Sequence, residues 1–136
     1  MKILGKHLIV ELSDCDRVIL DDISAMEQHL NEAARISGAT IVQSVFHRYN
    51  PQGVSGVVVI AESHVSLHTW PEYGYAAVDF FTCGDRVDPY KAHDYLREKL
   101  RAQSTQVREL KRGIPSPTDE TLNHKPAGIS QAATAG

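Results

Sequence analysis

The pattern of hydrophobic and polar residues predicts six β-strands in this chain. The strand-like stretches are rich in β-branched and aromatic residues, and several of them alternate between polar and apolar positions. They cover residues 4–12, 40–49, 54–61, 63–70, 75–83 and 104–110. The last stretch carries charged residues at its outward positions, which is typical of a strand at the edge of a sheet.

A helical period predicts two helices between these strands. In the first helix, apolar residues recur at steps of three and four positions, at Ile19, Ile23, Met26, Leu30 and Ala33. Either Asp14 or Asp16 can cap its start, and Gly38 ends it. The second helix begins at an Asp88 cap followed by a proline, and its narrow apolar stripe consists of Ala92, Leu96 and Leu100.

Hairpin-paired strands with two helices predict an α+β fold, a two-layer sandwich in which a mainly antiparallel sheet carries both helices on one face. Residues 1–112 would form this one domain, and residues 113–136 are expected to be a disordered tail because they are poor in apolar residues. The run from Val57 to Ile60 is apolar throughout, which predicts burial on both faces of its strand, or a dimer that packs across one of them. Since two helices cover such a sheet thinly, we expect a homodimer.

The composition is that of an ordinary globular domain. The 136 residues are 42% hydrophobic and 23% charged, with a net charge of -3. Acidic and basic residues are interleaved, which argues against nucleic acid or a membrane surface as a partner. No apolar run approaches the roughly 20 residues that span a bilayer. Two cysteines without an export signal indicate reduced thiols and a cytoplasmic location.

The candidate chemistry is concentrated in residues 62–84. This stretch holds the only Trp, one of the two Cys and two of the seven His. Ser63 follows the most apolar strand, between an acidic residue and a histidine, where a small reactive group is readily displayed. No Gly-x-Ser-x-Gly elbow, P-loop or dinucleotide-binding fingerprint is present in the sequence.

A metal site is one alternative for the histidines of this region, with His47, His64 and His68 as the candidate ligands. On one strand, His64 and His68 would lie roughly 13 Å apart, which is too far for both to bind one ion. We therefore expect no metal. Cys83 ends a strand beside a glycine, where a thiol can be accessible enough to donate a proton.

Several motifs of this chain closely resemble those of the prokaryotic S-adenosylmethionine decarboxylases. The motifs are Glu62-Ser63-His64, His68-Thr69-Trp70-Pro71-Glu72-Tyr73-Gly74 and Phe81-Thr82-Cys83-Gly84. The resemblance extends over most of residues 1–112 and does not cover the tail. It implies a pyruvoyl-dependent enzyme without metal or pyridoxal phosphate, which decarboxylates S-adenosylmethionine for spermidine and polyamine biosynthesis as a homodimer of cleaved protomers.

In this family the protein makes its own cofactor. The resemblance implies that the Ser63 hydroxyl attacks the carbonyl of Glu62, so that an ester replaces the peptide bond. β-Elimination then leaves residue 63 as an N-terminal pyruvoyl group. The ketone of such a group can form a Schiff base with a substrate amine and take up the electrons left by departing carbon dioxide.

The resemblance also implies roles for six further residues. Ser55 and His68 would serve in processing: Ser55 steadies the tetrahedral intermediate, and His68 removes the Cα proton of residue 63. Cys83 would return a proton to the substrate carbon. Tyr49 and Trp70 would contact adenine, and Glu72 would accept hydrogen bonds from the ribose hydroxyls. Tyr49 stands where relatives more usually have Phe.

Two questions stay open from the sequence. Strict alternation places Ser63 and His68 on opposite faces of a strand, so their cooperation would need a bend or bulge near His64, or a strand that starts later. The substrate could instead be a basic amino acid such as ornithine or arginine, and a less favoured alternative is a non-catalytic paralogue. Tyr49, Trp70 and Glu72 argue against the amino acid, which has no nucleoside to contact.

Overall fold

The computed structural model describes residues 4–113, and its secondary structure follows the predicted order. The elements are β1 (Gly5–Ser13), α1 (Arg17–Leu20), α2 (Ile23–Ile36), β2 (Ile41–Arg48), β3 (Val54–Ile60), β4 (Ser63–Trp70), a 3₁₀ turn (Pro71–Tyr73), β5 (Tyr75–Cys83), α3 (Pro89–Lys99) and β6 (Ser104–Arg112). The predicted tail lies, from residue 114 onward, outside the described residues.

The strands form one sheet in the order β2-β3-β4-β5-β1-β6, and every neighbouring pair is antiparallel. The two long helices, α2 and α3, pack against each other and against the same face of this sheet. The predicted fold class, an α+β two-layer sandwich, is therefore confirmed.

The first predicted helix is divided into two in the structure, so that the described residues contain three helices and not two. Asp16 caps the single turn of α1, and Asp22 accepts a hydrogen bond from the Ala25 N–H to start α2. Between them, the Asp21 carboxylate accepts hydrogen bonds from Arg48 and from the Gly53 N–H, which takes the chain off the helical path. The apolar residues keep their helical spacing across this break, so the sequence pattern does not reveal it.

The core lies between the sheet and the helices, and it is built from alternate residues of each strand. Its fully buried members from the strands include Leu8, Val10, Leu12, Val58, Leu67 and Phe80, and those from the helices include Met26, Leu30 and Leu96. Burial of apolar side chains contributes about 25 cal/mol for each Å² removed from water, so this layer is the main source of stability.

The other face of the sheet, called the open face below, carries no helix. Its apolar residues include Val45 and Val59, which are 56% and 42% exposed. Within one chain, the prediction that both faces around residues 57–60 are covered is therefore met only on the helix side. Of the predicted site residues in the strands, Ser55, His68, Trp70 and Cys83 lie on this open face, whereas Ser63 pairs with Ile60 and Thr82, which are buried on the helix side. Within residues 4–113, no helix has the length and apolar character that crossing a bilayer requires.

Candidate active site

The predicted site residues fall into two groups at opposite ends of β4. The first, called the cleavage end, contains Glu62, Ser63 and Cys83. The second, called the pocket end, contains Ser55, His68, Tyr49, Trp70 and Glu72, which line one cavity. The separation between the two groups decides how they can work together.

At the cleavage end, the bond between Glu62 and Ser63 lies where the β3–β4 hairpin turn passes into β4. Ser63 has a backbone φ of 138°, a value that residues with a side chain rarely adopt. The Glu62 carbonyl oxygen accepts a hydrogen bond from the Cys83 N–H at 2.8 Å. The Glu62 carboxylate accepts a second one from the Thr40 N–H at 3.2 Å. A strained residue therefore follows a carbonyl that is already polarised by a fixed donor.

The Cys83 side chain lies on the open face, where glycine faces it on the neighbouring strand. Gly5 of β1 is the direct cross-strand partner of Cys83. A Cβ atom at position 5 would lie 3.4 Å from the Cys83 sulfur and 2.6 Å from the Phe81 ring. Gly5 thus makes room for the Phe81 ring, while the thiol would be in ordinary contact with such a Cβ atom. The sequence analysis missed this role, although an isolated glycine at the start of a strand was its signal.

At the pocket end, Ser55 and His68 face each other across β3 and β4, and the Ser55 hydroxyl lies 2.8 Å from His68 Nδ1. Tyr49, Trp70 and Glu72 line the adjoining cavity of about 330 Å³. Both aromatic side chains are more than a third exposed, and the Trp70 ring stacks on Tyr75 with their centroids 5.3 Å apart. The pocket offers two ring faces, one carboxylate and one hydrogen-bonded histidine.

The distance along β4 separates the two ends. Ser63 and His68 are five residues apart in a strand that keeps an unbroken register with both neighbours, so about 16 Å separates them. The bulge near His64 and the later strand start, which the sequence analysis considered, are therefore not observed. Within one chain, the structure brings Ser55 to His68 and Cys83 to Glu62, but it does not bring His68 to Ser63.

Between the two ends lies a polar cluster that the sequence analysis missed, which consists of His7, His64, Ser66 and Asp79. The Asp79 Oδ2 atom lies 2.7 Å from His7 Nε2 and 3.2 Å from His64 Nε2, while the Ser66 hydroxyl donates to Oδ1. Burial raises the pKa of Asp79, but the hydrogen bonds from Ser66, His7 and His64 outweigh it and hold this pKa below its usual range. Asp79 and Cys83 are four residues apart on β5 and therefore share a face of the sheet. This spacing was the feature of the sequence from which the cluster could have been predicted.

The same cluster bears on the expectation that no metal binds. The three histidines considered from the sequence have separate partners: the His47 ring contacts Tyr49, His64 pairs with Asp79, and His68 pairs with Ser55. However, one nitrogen each of His7 and His64 and one oxygen of Asp79 lie within 4.8 Å of one another. These three residues have ligand types that zinc accepts, so the expectation stays a prediction.

Known proteins resemble this chain in sequence and in structure. A family model described as S-adenosylmethionine decarboxylase matches residues 6–113. The chain is 60% identical over 113 residues to the S-adenosylmethionine decarboxylase proenzyme of Fervidobacterium nodosum, across 83% of this chain and 82% of that protein. It is 58% identical to the proenzyme of the same name from Thermotoga maritima, across 83% and 87%.

A solved structure agrees with these sequence comparisons. The crystal structure of the adenosylmethionine decarboxylase from Aquifex aeolicus superposes with a TM-score of 0.80 at 34% identity, and the match covers 88% of this chain and 98% of that chain. The family model spans well over half of this chain, and the relatives exceed half identity over most of it. The chain therefore belongs to the S-adenosylmethionine decarboxylase family, as its motifs predict.

Proposed function

We propose that this protein decarboxylates S-adenosylmethionine to the aminopropyl donor of spermidine and polyamine biosynthesis, with a pyruvoyl group made from its own Ser63. The observation that carries the proposal is the geometry at the cleavage end. A serine with a strained backbone directly follows a carbonyl that accepts a hydrogen bond from the Cys83 N–H at 2.8 Å. The name proenzyme, which the bacterial relatives carry, denotes a precursor that requires processing.

Self-cleavage would proceed in two stages. In the first, Ser63 Oγ bonds to the Glu62 carbonyl carbon, the carbon–nitrogen bond between the two residues breaks, and the hydroxyl proton passes to the freed amine. The Cys83 N–H would stabilise the oxyanion that forms on Glu62. In the second stage, His68 would remove the Cα proton of residue 63. The bond between Cβ and the ester oxygen then breaks, which releases Glu62 with a main-chain carboxylate at its new C-terminus. The resulting enamine takes up a proton on Cβ and becomes an imine. Water then adds to the imine carbon and ammonia leaves, so that residue 63 becomes a ketone.

Backbone strain supports this assignment of the cleaved bond. A non-glycine residue held at positive φ costs about 1–3 kcal/mol and persists only where its surroundings impose it. The constraint on the φ of Ser63 disappears once the preceding peptide bond is broken. The strain at this residue would therefore favour the ester over the amide, and the structure of the precursor would itself contribute to the reaction.

Two copies of the chain would have to form each complete site. Cys83 and His64 beside the cleaved bond lie on the open face, as do Ser55 and His68 of the pocket end, and about 16 Å separates Ser63 from His68 along β4. If two open faces packed together around a two-fold axis near the middle of β4, each cleavage end would meet the pocket end of the other copy. Such packing would also cover Val45 and Val59, which are exposed in one chain. This arrangement favours the homodimer that the apolar sheet predicts.

The pocket end fits a nucleoside. Tyr49 and Trp70 present ring faces suited to adenine, and Glu72 presents a carboxylate suited to the ribose hydroxyls. An aromatic face also attracts the sulfonium charge of the substrate, an interaction of about 0.5–2 kcal/mol. Ornithine and arginine would leave these groups without a partner. A non-catalytic paralogue would need neither the strained Ser63 nor the hydrogen bond between Ser55 and His68.

Once formed, the pyruvoyl group supplies an electrophilic carbonyl that holds the substrate amine and accepts the electrons released with carbon dioxide. The chain would supply the remaining steps. The Cys83 thiol, held beside Gly5 on the open face, would donate the proton to the substrate carbon.

The described residues contain no disulfide, with both Cys15 and Cys83 as thiols. This agrees with the cytoplasmic location that we propose.

Release of carbon dioxide from carboxyl-labelled substrates tests the proposed function. The purified protein should release label from S-adenosylmethionine and not from ornithine or arginine, and Ser63→Ala should release none from any of them. Release from ornithine or arginine alone would establish the alternative substrate class. Full activity of Ser63→Ala would exclude pyruvoyl chemistry at this position.

A further inference from the structure

Asp79 is the centre of the polar cluster on the open face, and both of its carboxylate oxygens have partners. One oxygen lies 2.7 Å from His7 Nε2 and 3.2 Å from His64 Nε2, and the other accepts a hydrogen bond from the Ser66 hydroxyl. The side chains of Asp79 and His7 are 26% and 14% exposed. A partly buried carboxylate is thus fixed by three donors from two neighbouring strands.

The hydrogen bonds of Asp79 are directed toward the cleavage end. Its direct cross-strand neighbours are Ser66 on β4 and Ile9 on β1. The two histidines that it binds lie two residues further along those strands, on the side of Ser63. Asp79 therefore joins β1, β4 and β5 diagonally, and its partner His64 directly follows Ser63, the residue that the proposed function places at the cleaved bond.

Stability alone is a weak reason for such a cluster. Removing a carboxylate from water is costly, and packed apolar side chains in the same place are often equally stable or more stable. Apolar residues would also cover the face between β1 and β4 without any need for exact hydrogen-bond geometry. A set of three directed bonds to one carboxylate instead restricts where its partners can lie.

His64 is the partner through which this restriction reaches the cleaved bond. It is the residue immediately after Ser63, and its ring is held by Asp79 and by the edge of Phe81, with ring centroids 5.6 Å apart. On the other side of Ser63, Glu62 is held by the N–H groups of Cys83 and Thr40. Ser63, with its φ of 138°, is the one residue between two anchored neighbours.

We propose that Asp79 is a positioning residue for self-cleavage: through His64, it holds the backbone of Ser63 in the strained conformation from which the hydroxyl attacks Glu62. This proposal rests on the proposed function. The chemical step is the same acyl transfer from nitrogen to oxygen, and Asp79 neither gains nor loses a proton in it. Its effect is on the geometry of the intact precursor.

The rate of self-cleavage gives the first test. Precursor is pulse-labelled in a cell-free translation reaction, and loss of the 136-residue chain is followed over time. Asp79→Asn should slow cleavage by about tenfold to a hundredfold, because a displacement of about 1 Å can cost a hundredfold in rate. Asp94→Asn is the matched control, since Asp94 also pairs with a histidine, His93, but on α3 and 80% exposed. It should cleave at the unmodified rate.

The backbone of residue 63 gives the second test, and a purely structural role would not change it. In the uncleaved Ser63→Ala precursor, the coupling constant between the amide proton and the Hα of residue 63 should be small, as a φ near 138° requires. Adding Asp79→Asn should raise it toward the large value of extended backbone. His64→Phe, which keeps a ring against Phe81 but cannot bind Asp79, should do the same if Asp79→Asn fails to fold.

The outcomes separate this proposal from the proposed function. Slower cleavage together with a larger coupling supports the positioning role. Unmodified cleavage in both variants, or slow cleavage with an unchanged coupling in a folded precursor, overturns it. Loss of cleavage on adding a chelator, with recovery on adding zinc, would also overturn it, since the cluster would then act by binding an ion. If the unmodified chain itself stays uncut, the proposed function fails.

Discussion

The Ser55 hydroxyl lies 2.8 Å from His68 Nδ1, and this pair is at the opposite end of β4 from Ser63. The two residues that we expect to process Ser63 are therefore positioned for each other and not for the Ser63 of their own chain. Because Cys83 beside the cleaved bond lies on the same open face as Ser55 and His68, the simplest partner for the pair is Ser63 of a second copy.

The shared site predicts that two inactive variants restore each other. Ser63→Ala and His68→Ala should each stay uncut when expressed alone. In a mixed dimer, one of the two sites combines the intact Ser63 of the His68→Ala chain with the intact His68 of the Ser63→Ala chain. Co-expression should therefore cleave part of the His68→Ala chains, and mass analysis of separately tagged chains measures this fraction.

The control for this prediction is co-expression of two differently tagged His68→Ala chains, which should stay uncut. Absence of cleavage in mixed dimers that are shown to form would contradict the shared site. Sedimentation should also show a dimer, with a buried interface above about 1,000 Å². A stable and active monomer at micromolar concentration would exclude this arrangement.

Cys83 is predicted to act in turnover more than in cleavage. Cys83→Ala keeps the backbone N–H that faces the Glu62 carbonyl, so its chain should still be cut. Its turnover number should fall by about 10²–10⁴-fold, the usual contribution of a positioned proton donor. Protons delivered to the wrong carbon should convert residue 63 to alanine, which mass analysis detects after many cycles. Normal turnover by Cys83→Ala would assign the proton to another group.

Glu72 is predicted to bind the substrate without taking part in its reaction. Glu72→Gln weakens hydrogen bonds to a charged group, which are worth about 1.5–3 kcal/mol, so KM should rise by about tenfold to a hundredfold. The kcat of the cleaved enzyme should change little. Glu98→Gln, on the exposed surface of α3, is the control and should leave both constants unchanged. A fall in kcat with constant KM would contradict this role.

The environment of His29 predicts that the folded protein loses stability in weak acid. Its Nδ1 atom is buried without a hydrogen-bond partner in the described part of the chain, and the ring contacts Tyr95. Burial, and then the charge of Lys99, lower the pKa of His29 below its value of about 6.5 in an unfolded chain. The unfolded state therefore binds more protons, and the free energy of unfolding should decrease as the pH falls below about 6.5.

Urea unfolding of the Ser63→Ala precursor at several pH values measures this dependence. His29→Phe keeps an aromatic ring beside Tyr95 and removes the titrating group. The decrease in unfolding free energy between pH 7.5 and about pH 5.5 should be smaller in this variant. An equal decrease in both proteins would assign the acid sensitivity to other groups.

The positions of the strands along the chain could be predicted because burial alternates along several of them as the sequence does. In β5, for example, buried Val78 and Phe80 alternate with partly exposed Asp79 and Phe81. The break between α1 and α2 could not be predicted from that pattern. It depends on Asp21 meeting Arg48 and Gly53, which are distant in sequence.

The site was predicted residue by residue from its motifs, but its geometry was not. The predicted strand already placed Ser63 and His68 on opposite faces, and the continuous register of β4 shows that no bulge brings them together. The contact of Asp79 with His7 crosses 72 positions of the sequence and depends on β1 lying beside β5. Such contacts follow from the sheet topology, which local sequence patterns do not contain.

Intact-mass analysis of the purified, denatured protein tests the central claim most directly. The claim is that the chain cuts itself between Glu62 and Ser63 and converts residue 63 to a ketone. The analysis should show residues 1–62 and 63–136 as separate chains, the second lighter by one ammonia than a chain that starts with serine. Borohydride treatment with S-adenosylmethionine should add mass only to the second chain. A single uncut chain that still decarboxylates S-adenosylmethionine would contradict the account.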